Sequence, residues 1–324
     1  IGLDLSQDEA KEILWSFIKE ADLFIEGFRP GAVARLGFSS KEALSLNPSL
    51  IYVSSSGFGS RGPYSGRPVY DPVIQALSGW AGAQRNESKP NLIRGMVADK
   101  VAALTTSQAI TAALLARSKT GKGQHVEVSM LEANIAFNWP DVMMHETLLD
   151  EDALHLPNLL SSYQLFSTSD GWVSVTAGTD AQWKAVCSAL NRNDLANDER
   201  FSSANNRSKN FTAWYEEFDE MLSAFPTKEA LEKCQAADIP AVSVLDPADV
   251  AYDEHVVATG SVQEKLHPVI GRIRTARQGA TFNGEVEYEP SPAPTYCEHT
   301  DELLKEIGFT LEQINDLRSA GVIS

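Results

Sequence analysis

The sequence predicts an α/β fold in two parts: a parallel sheet with crossover helices, then a smaller α+β domain. Three observations predict it. Helix-like and strand-like segments alternate up to about residue 157, and strands separated by helices of this length form βαβ units. From about residue 158 the texture changes to a hairpin followed by helices. A chain of 324 residues, at about 150 per domain, suggests two domains or one large one. The 43% hydrophobic and 22% charged fractions are those of a globular chain, and this length buries a sizeable core without staples.

The elements follow in order. Ser6 to Glu20 reads as a helix, with Ser6 as N-cap and Ile13, Leu14, Phe17 and Ile18 on one face. Leu23-Phe24-Ile25 reads as a short buried strand. Lys41 to Leu46 is helical, Leu50 to Ser54 is the next strand, and Asp71 to Gly79 is helical. Val101 to Arg117 is a helix with Asp99 placed to cap it, and its apolar character on all sides predicts burial. Thr120 to Gly123 is a turn, Gln124 to Val128 alternates as a strand does, and Met130 opens a helix that Pro140 ends or kinks. Tyr163–Phe166 and Trp172–Val175, joined through Ser169-Asp170-Gly171, read as a hairpin. Helices are expected over Gln182–Leu190, Ala213–Ala224 and Thr227–Ala236. Ser291 to Pro294 is a linker. Thr300–Ile307 and Thr310–Ala320 are terminal helices, the second with a Thr310/Gln313 capping box.

Charge and cysteine usage exclude several classes. With 27 Lys+Arg against 44 Asp+Glu, the net charge is −17. That argues against a nucleic-acid partner, which needs a basic stripe, and against a polybasic membrane anchor. Cys187, Cys234 and Cys297 are far apart and form no C-x-x-C pair, which points to reduced thiols and the cytoplasm. The apolar stretches fall short of a membrane span, and no signal peptide opens the chain. The strand-like start at Ile1, without Met, reads as a fragment of a longer protein.

Few motifs carry chemistry. Gly57-Phe58-Gly59-Ser60-Arg61-Gly62 spells G-x-G-x-x-G after a strand, but Pro63 follows and no helix can open there. A loop over some ligand is the better reading than a dinucleotide fingerprint. The six histidines lack ligand spacing, so no metal site is expected, and His125 reads as a surface strand residue rather than a base. Glu132 stands in the first turn of a helix, just after a strand. That is where open α/β sheets place their sites, and a helix N-terminus favours an ionised, nucleophilic carboxylate. Ser129-Met130-Leu131-Glu132 is also an S-x-x-E capping box, in which the carboxylate only closes the helix end.

Ala21-Asp22-Leu23-Phe24-Ile25-Glu26-Gly27-Phe28-Arg29-Pro30-Gly31, followed by Arg35-Leu36-Gly37-Phe38, resembles the signature of the class III CoA-transferases. Asn47 to Tyr52, Ser56 to Gly59, Gly62-Pro63-Tyr64, Tyr70-Asp71 with Gln75, Thr120 to Gln124, and Ser129 to Ala133 continue the resemblance in order. Ser291 to Pro294 with Glu298-His299-Thr300 closes it, so it covers essentially the whole chain. The resemblance implies a Rossmann-like large domain (1–157), a small α+β domain (158–262) and a C-terminal return to the large domain (263–324), paired as an interlocked-ring homodimer. It also implies that family members carry a leading segment of several dozen residues, which supplies a first strand and part of the adenine pocket.

The implied activity is transfer of CoA from an acyl-CoA to a small carboxylic acid through a covalent carboxylate intermediate, with coenzyme A as substrate and no resident cofactor. Glu132 matches the position of the family's catalytic aspartate. Leu3, Gly27, Phe28, Arg29, Arg35, Leu36, Ser56, Gly57, Phe58 and Gly59 match CoA-contacting positions; Gly27 replaces an asparagine and Ser56 a lysine. Tyr70 and Gln75 match the substrate pocket. Related α-methylacyl-CoA racemases carry histidine at the Tyr70 position, and tyrosine, with a reference pKa of about 10, is a poor base near neutrality. That favours transferase over the alternative of a racemase or isomerase; a non-catalytic CoA-binding member is the third reading. No glycine-rich flap is visible around Leu159–Tyr163, which speaks against formate or oxalate as substrate.

Overall fold

The computed structural model describes residues 1–85, 89–150, 160, 163–284 and 291–324. The chain packs as two compact units, Ile1–Glu151 with Ala293–Ser324, and Asp152–Pro292.

In the first unit, α1 (Asp8–Glu20) leads into β1 (Leu23–Glu26), α2 (Ala32–Arg35), α3 (Ser40–Leu46) and β2 (Ile51–Ser56). Then come α4 (Asp71–Leu77), α5 (Trp80–Ala83), α6 (Val97–Thr120), β3 (Gln124–Ser129) and α7 (Met130–Asn138). The three strands are parallel in the order β1-β2-β3, with Glu26 beside Ser54 and Ser54 beside Glu127. This is the parallel α/β sheet expected from the alternation of elements.

Each face of the sheet has its own cover. Ile51 and Val53 pack with Ala113 of α6. Tyr52, on the opposite face, packs with Ile18, Val33, Phe38 and Ala43. Gly123 lies so close to the sheet that a Cβ there would sit 1.9 Å from the Leu50 carbonyl oxygen.

Several local expectations are corrected. Helix α1 starts at Asp8 rather than Ser6, because the Asp4 carboxylate accepts bonds from the Ser6 N–H (3.0 Å), the Ser6 hydroxyl (2.7 Å) and the Gln7 amide (3.0 Å). That turn holds residues 4–7 outside the helix. Helix α6 starts earlier than Val101, so Asp99 lies within its first turn instead of capping it. Its backbone N–H donates to Asp71 Oδ2 at 3.0 Å. Nor is α6 buried all round: Ala98, Val101, Ala102 and Ala113 form its buried stripe, while Leu104 is 71% exposed.

In the second unit, β4 (Phe166–Ser167), β5 (Trp172–Val175) and, after five helices, β6 (Ala241–Ser243) form an antiparallel sheet. The helices are α8 (Asp180–Ala189), α9 (Asn193–Ala196), α10 (Ala204–Lys209), α11 (Phe211–Ser223) and α12 (Thr227–Ala236). Their core gathers Trp183, Phe201, Phe218 and Phe166. The expected hairpin is present in β4 and β5. Helix α13 (Glu254–Thr259) and a second hairpin, β7 (Val262–His267) with β8 (Gly271–Ala276), follow. That hairpin belongs to the second unit, so the return to the first begins at Ala293 rather than at the expected residue 263. The chain ends in α14 (Thr300–Glu306) and α15 (Leu311–Ser319), whose Leu304 and Ile314 pack with Ala10 and Ile13 of α1. The Thr310/Gln313 capping box is formed.

All three cysteines are free thiols, and burial pushes Cys187 up to about 12. No helix among the described residues is long and apolar enough to cross a membrane.

Candidate active site

Side chains two apart on a strand share a face. On the face opposite α6, β2 presents Tyr52, Ser54 and Ser56, and β3 presents His125, Glu127 and Ser129. These residues, with Glu26 at the end of β1, floor a cavity of about 530 Å³. The Glu26 carboxylate accepts the Phe28 N–H at 2.9 Å, which shapes the turn after β1. The Ser54 hydroxyl and His125 Nε2 are 3.0 Å apart. The Tyr52 hydroxyl donates to the Phe38 carbonyl at 2.8 Å. Burial, then the nearby Glu26 charge, pushes the Tyr52 phenol up to about 12.

Glu132 lines this cavity from the first turn of α7, at the carboxyl end of β3. The Ser129 hydroxyl accepts the Glu132 N–H at 3.3 Å, so the serine half of the capping box is present. The other half is not, because the Glu132 side chain does not reach back to the Ser129 N–H. Glu132 is solvent-exposed, and its carboxylate has no hydrogen-bond partner among the described residues.

The loop after β2 forms one wall. Gly59 (φ +78°) and Gly62 (φ +81°) lie in the left-handed region, which suits glycine. A Cβ at Gly59 would sit 3.3 Å from the Ser129 Cβ, and the Leu131 N–H donates to the Gly57 carbonyl at 2.9 Å. The loop is thereby tied to the helix start that carries Glu132. No helix opens after Gly62; the next begins at Asp71.

Beyond Phe28 and Phe58, which serve both cavities, lies a second pocket of about 190 Å³. Arg29, Arg67, Ser56 and Ser65 stand on its walls, and among the described residues no carboxylate does. The Arg67 guanidinium carbon lies 3.9 Å from the centre of the Tyr64 ring, a cation–π contact within the loop.

The structure gathers most of the residues singled out in the sequence. Glu132, Phe28, Ser56, Phe58 and Gly59 line the larger cavity; Gly27, Arg29, Gly57 and Tyr70 line the smaller, where Tyr70 is 80% exposed. Arg35 lines neither cavity, although its Nη1 is 3.2 Å from where a Cβ would be on Gly31, which lines the larger one; Leu36 also lies outside both. Leu3 is elsewhere, bridged to Ile323 beside the terminal helices. Gln75 is also elsewhere. It is 1% exposed, bonded to Asp71 and the carbonyls of Ile93 and Gly95, and accepts the Ile93 N–H at 2.9 Å.

Sequence reasoning passed over Glu26, Ser54, Arg61, His125 and Glu127, all of which line the larger cavity. His125 is indeed an exposed strand residue, but it faces this cavity. The two-residue alternation of β2 and β3 was the available signal for the floor. The flap position at Leu159–Tyr163 falls largely outside the described residues. Among the described residues, no group of three or more His, Cys, Asp or Glu is arranged to hold a metal ion.

Comparison with known proteins bears on this geometry. The acetyl-CoA:oxalate CoA-transferase of Acetobacter aceti is 32% identical over 256 residues, which cover 78% of this chain and 66% of that protein. The formyl-CoA:oxalate CoA-transferase of Streptomyces coelicolor is 27% identical, over all of this chain and 83% of that protein. The chain spans 41% of the length of Rv1866 of Mycobacterium tuberculosis, at 27% identity. Among solved structures, Rv3272 of M. tuberculosis superposes with a TM-score of 0.81 at 27% identity, over 92% of this chain and 81% of that one. Residues 1–300 match the model of CoA-transferase family III. The chain, with its parallel sheet and its carboxylate at the end of β3, belongs to CoA-transferase family III.

Proposed function

We propose that this chain moves CoA between an acyl-CoA thioester and a carboxylic acid, with Glu132 as the covalent carrier. The observation that carries this reading is the Glu132 carboxylate, free of hydrogen bonds among the described residues and facing a 530 Å³ cavity at the carboxyl end of a parallel strand. The relatives' names, which pair a CoA thioester with an acid, support the reaction class.

The steps balance without a redox partner. A Glu132 carboxylate oxygen attacks the thioester carbonyl, the C–S bond breaks, and CoA leaves as thiolate from a mixed anhydride. The thiolate then attacks the Glu132 carbonyl, releases the first acid and leaves a glutamyl-CoA thioester. The incoming carboxylate attacks that thioester, and the displaced thiolate takes up the new acyl group, which regenerates Glu132. The pocket with Arg29 and Arg67, free of carboxylates among the described residues, suits the phosphates of CoA, and Arg35, beside Gly31 of the larger cavity, is a further cation near the site. Family membership also supports a homodimer of interlocked rings working in the cytoplasm, with no resident cofactor.

The test is mass spectrometry of the protein after incubation with acetyl-CoA and acid quench. A CoA adduct on the peptide containing Glu132 is expected. An adduct on another residue, or one that persists in Glu132→Ala, sinks the assignment.

A further inference from the structure

We propose that Ser54 and His125 form a second reactive centre in the larger cavity, a nucleophile with its base, which hydrolyses acyl-CoA thioesters. This activity is separate from transfer through Glu132. The Ser54 hydroxyl and His125 Nε2 are 3.0 Å apart, and both residues line the cavity. With the ring proton on Nδ1, Nε2 accepts the Ser54 O–H, which is the arrangement that activates a serine. The sheet holds the pair in place. Neighbouring strands lie about 4.8 Å apart, and residues paired across them share a face. Tyr52 stands beside His125, and its ring meets the imidazole edge-on, with centroids 5.3 Å apart and planes at 89°. The Tyr52 hydroxyl is itself tied to the Phe38 carbonyl at 2.8 Å, so the imidazole packs on a fixed wall.

The charges around the pair suit the reaction. Ser54 stands between Glu26 on β1 and Glu127 on β3. Those two carboxylates favour the imidazolium that forms when His125 takes the serine proton. Arg61, the single Arg or Lys side chain among the described residues that line this cavity, supplies positive charge for the oxyanion. The steps balance with water alone. Ser54 Oγ attacks the thioester carbonyl while His125 Nε2 takes its proton. The C–S bond breaks, and the CoA thiolate leaves with that proton. Water then attacks the Ser54 ester and gives a proton to His125. The C–Oγ bond breaks, Oγ recovers the proton, and the free acid departs.

The experiment treats the full chain with diisopropyl fluorophosphate, which traps an activated serine, and locates the label by tandem mass spectrometry. Release of CoA from acetyl-CoA without an acceptor acid is followed by chromatography. Wild type, Ser54→Ala and His125→Gln are compared, each checked for a native thermal melt. Wild type is expected to hydrolyse acetyl-CoA, to take the label on Ser54 and to lose hydrolysis as it does so. Hydrolysis in Ser54→Ala and labelling in His125→Gln are each expected to fall about 10²-fold or more. A wild type that releases no CoA, an unlabelled Ser54, labelling as fast in His125→Gln, or full hydrolysis by the labelled protein overturns the proposal. The label on wild type needs no variant, so a variant that fails to fold leaves the test standing. The CoA adduct on Glu132 is measured in parallel. Its absence removes the transferase reading, while the label on Ser54 still reports on the pair.

Discussion

Ser129 and Glu132 share only half of a capping box: the serine hydroxyl accepts the glutamate N–H at 3.3 Å, and the glutamate carboxylate gives nothing back. The two residues therefore separate structure from chemistry. Ser129→Ala removes the cap and is expected to lower stability by about 1 kcal/mol in urea unfolding. Glu132→Gln removes a charge that holds no bond, so stability is expected to stay within about 0.5 kcal/mol of wild type. Its CoA exchange is expected to fall on the order of 10³-fold or more, as for loss of a nucleophile. A Gln variant that unfolds early but still exchanges CoA reverses both assignments.

Gln75, matched by sequence to the substrate pocket, has a structural task of its own. Its amide is fully engaged in binding the 93–95 segment to α4. Gln75→Ala strands the Ile93 N–H and leaves the half-buried Ile93 and exposed Gly95 carbonyls to water, at a cost of about 1–3 kcal/mol in all. The expected outcome is a lower urea midpoint with little change in acid KM per folded molecule. A raised KM at unchanged stability would return Gln75 to the substrate pocket.

What was legible in the sequence follows the range of the forces involved. The strand–helix junction at Gln124–Asn138 rests on local alternation and capping, so β3, α7 and the place of Glu132 could be read directly. The face on which His125 and Glu127 stand could be read too, but not that a cavity lies over it, because that depends on what packs there. Nor could the surroundings of Leu3 be read, because its neighbour Ile323 is at the other end of the chain. The hairpin of β7 and β8 was passed over because Val262-Gln263-Glu264-Lys265-Leu266-His267 is mostly polar. Glu264, bonded by Arg272 and Arg274 across the pair, helps hold its register.

Gly123 tests the packing of the turn before β3. A Cβ there meets backbone atoms of Leu50, the nearest at 1.9 Å, and neither side can swing away as a side chain would. Gly123→Ala is therefore expected to cost about 1–3 kcal/mol or more in urea unfolding. Gly121→Ala in the same turn meets no atom within 4 Å but forces alanine to φ +69°. It is expected to cost about 1–2 kcal/mol, from strain alone. Equal and negligible losses at both positions would show that the turn has room to shift.

Tyr52 links the cavity floor to pH. It is 3% exposed and donates to the Phe38 carbonyl, and its phenol is held at about 12, mainly by burial and then by the Glu26 charge. The unfolded chain ionises the same group near 10. The neutral phenol's advantage is therefore complete below pH 10 and is lost as pH rises through 12. The loss amounts to about 2–3 kcal/mol for this one group. Tyr52→Phe cannot titrate and loses one hydrogen bond, worth about 1 kcal/mol at neutral pH. Urea unfolding between pH 8 and 12 should therefore show the two stability curves crossing: wild type is the more stable at pH 8 and, by about 1 kcal/mol, the less stable at pH 12. Curves that stay parallel would mean that Tyr52 ionises in the folded protein as freely as in the unfolded chain.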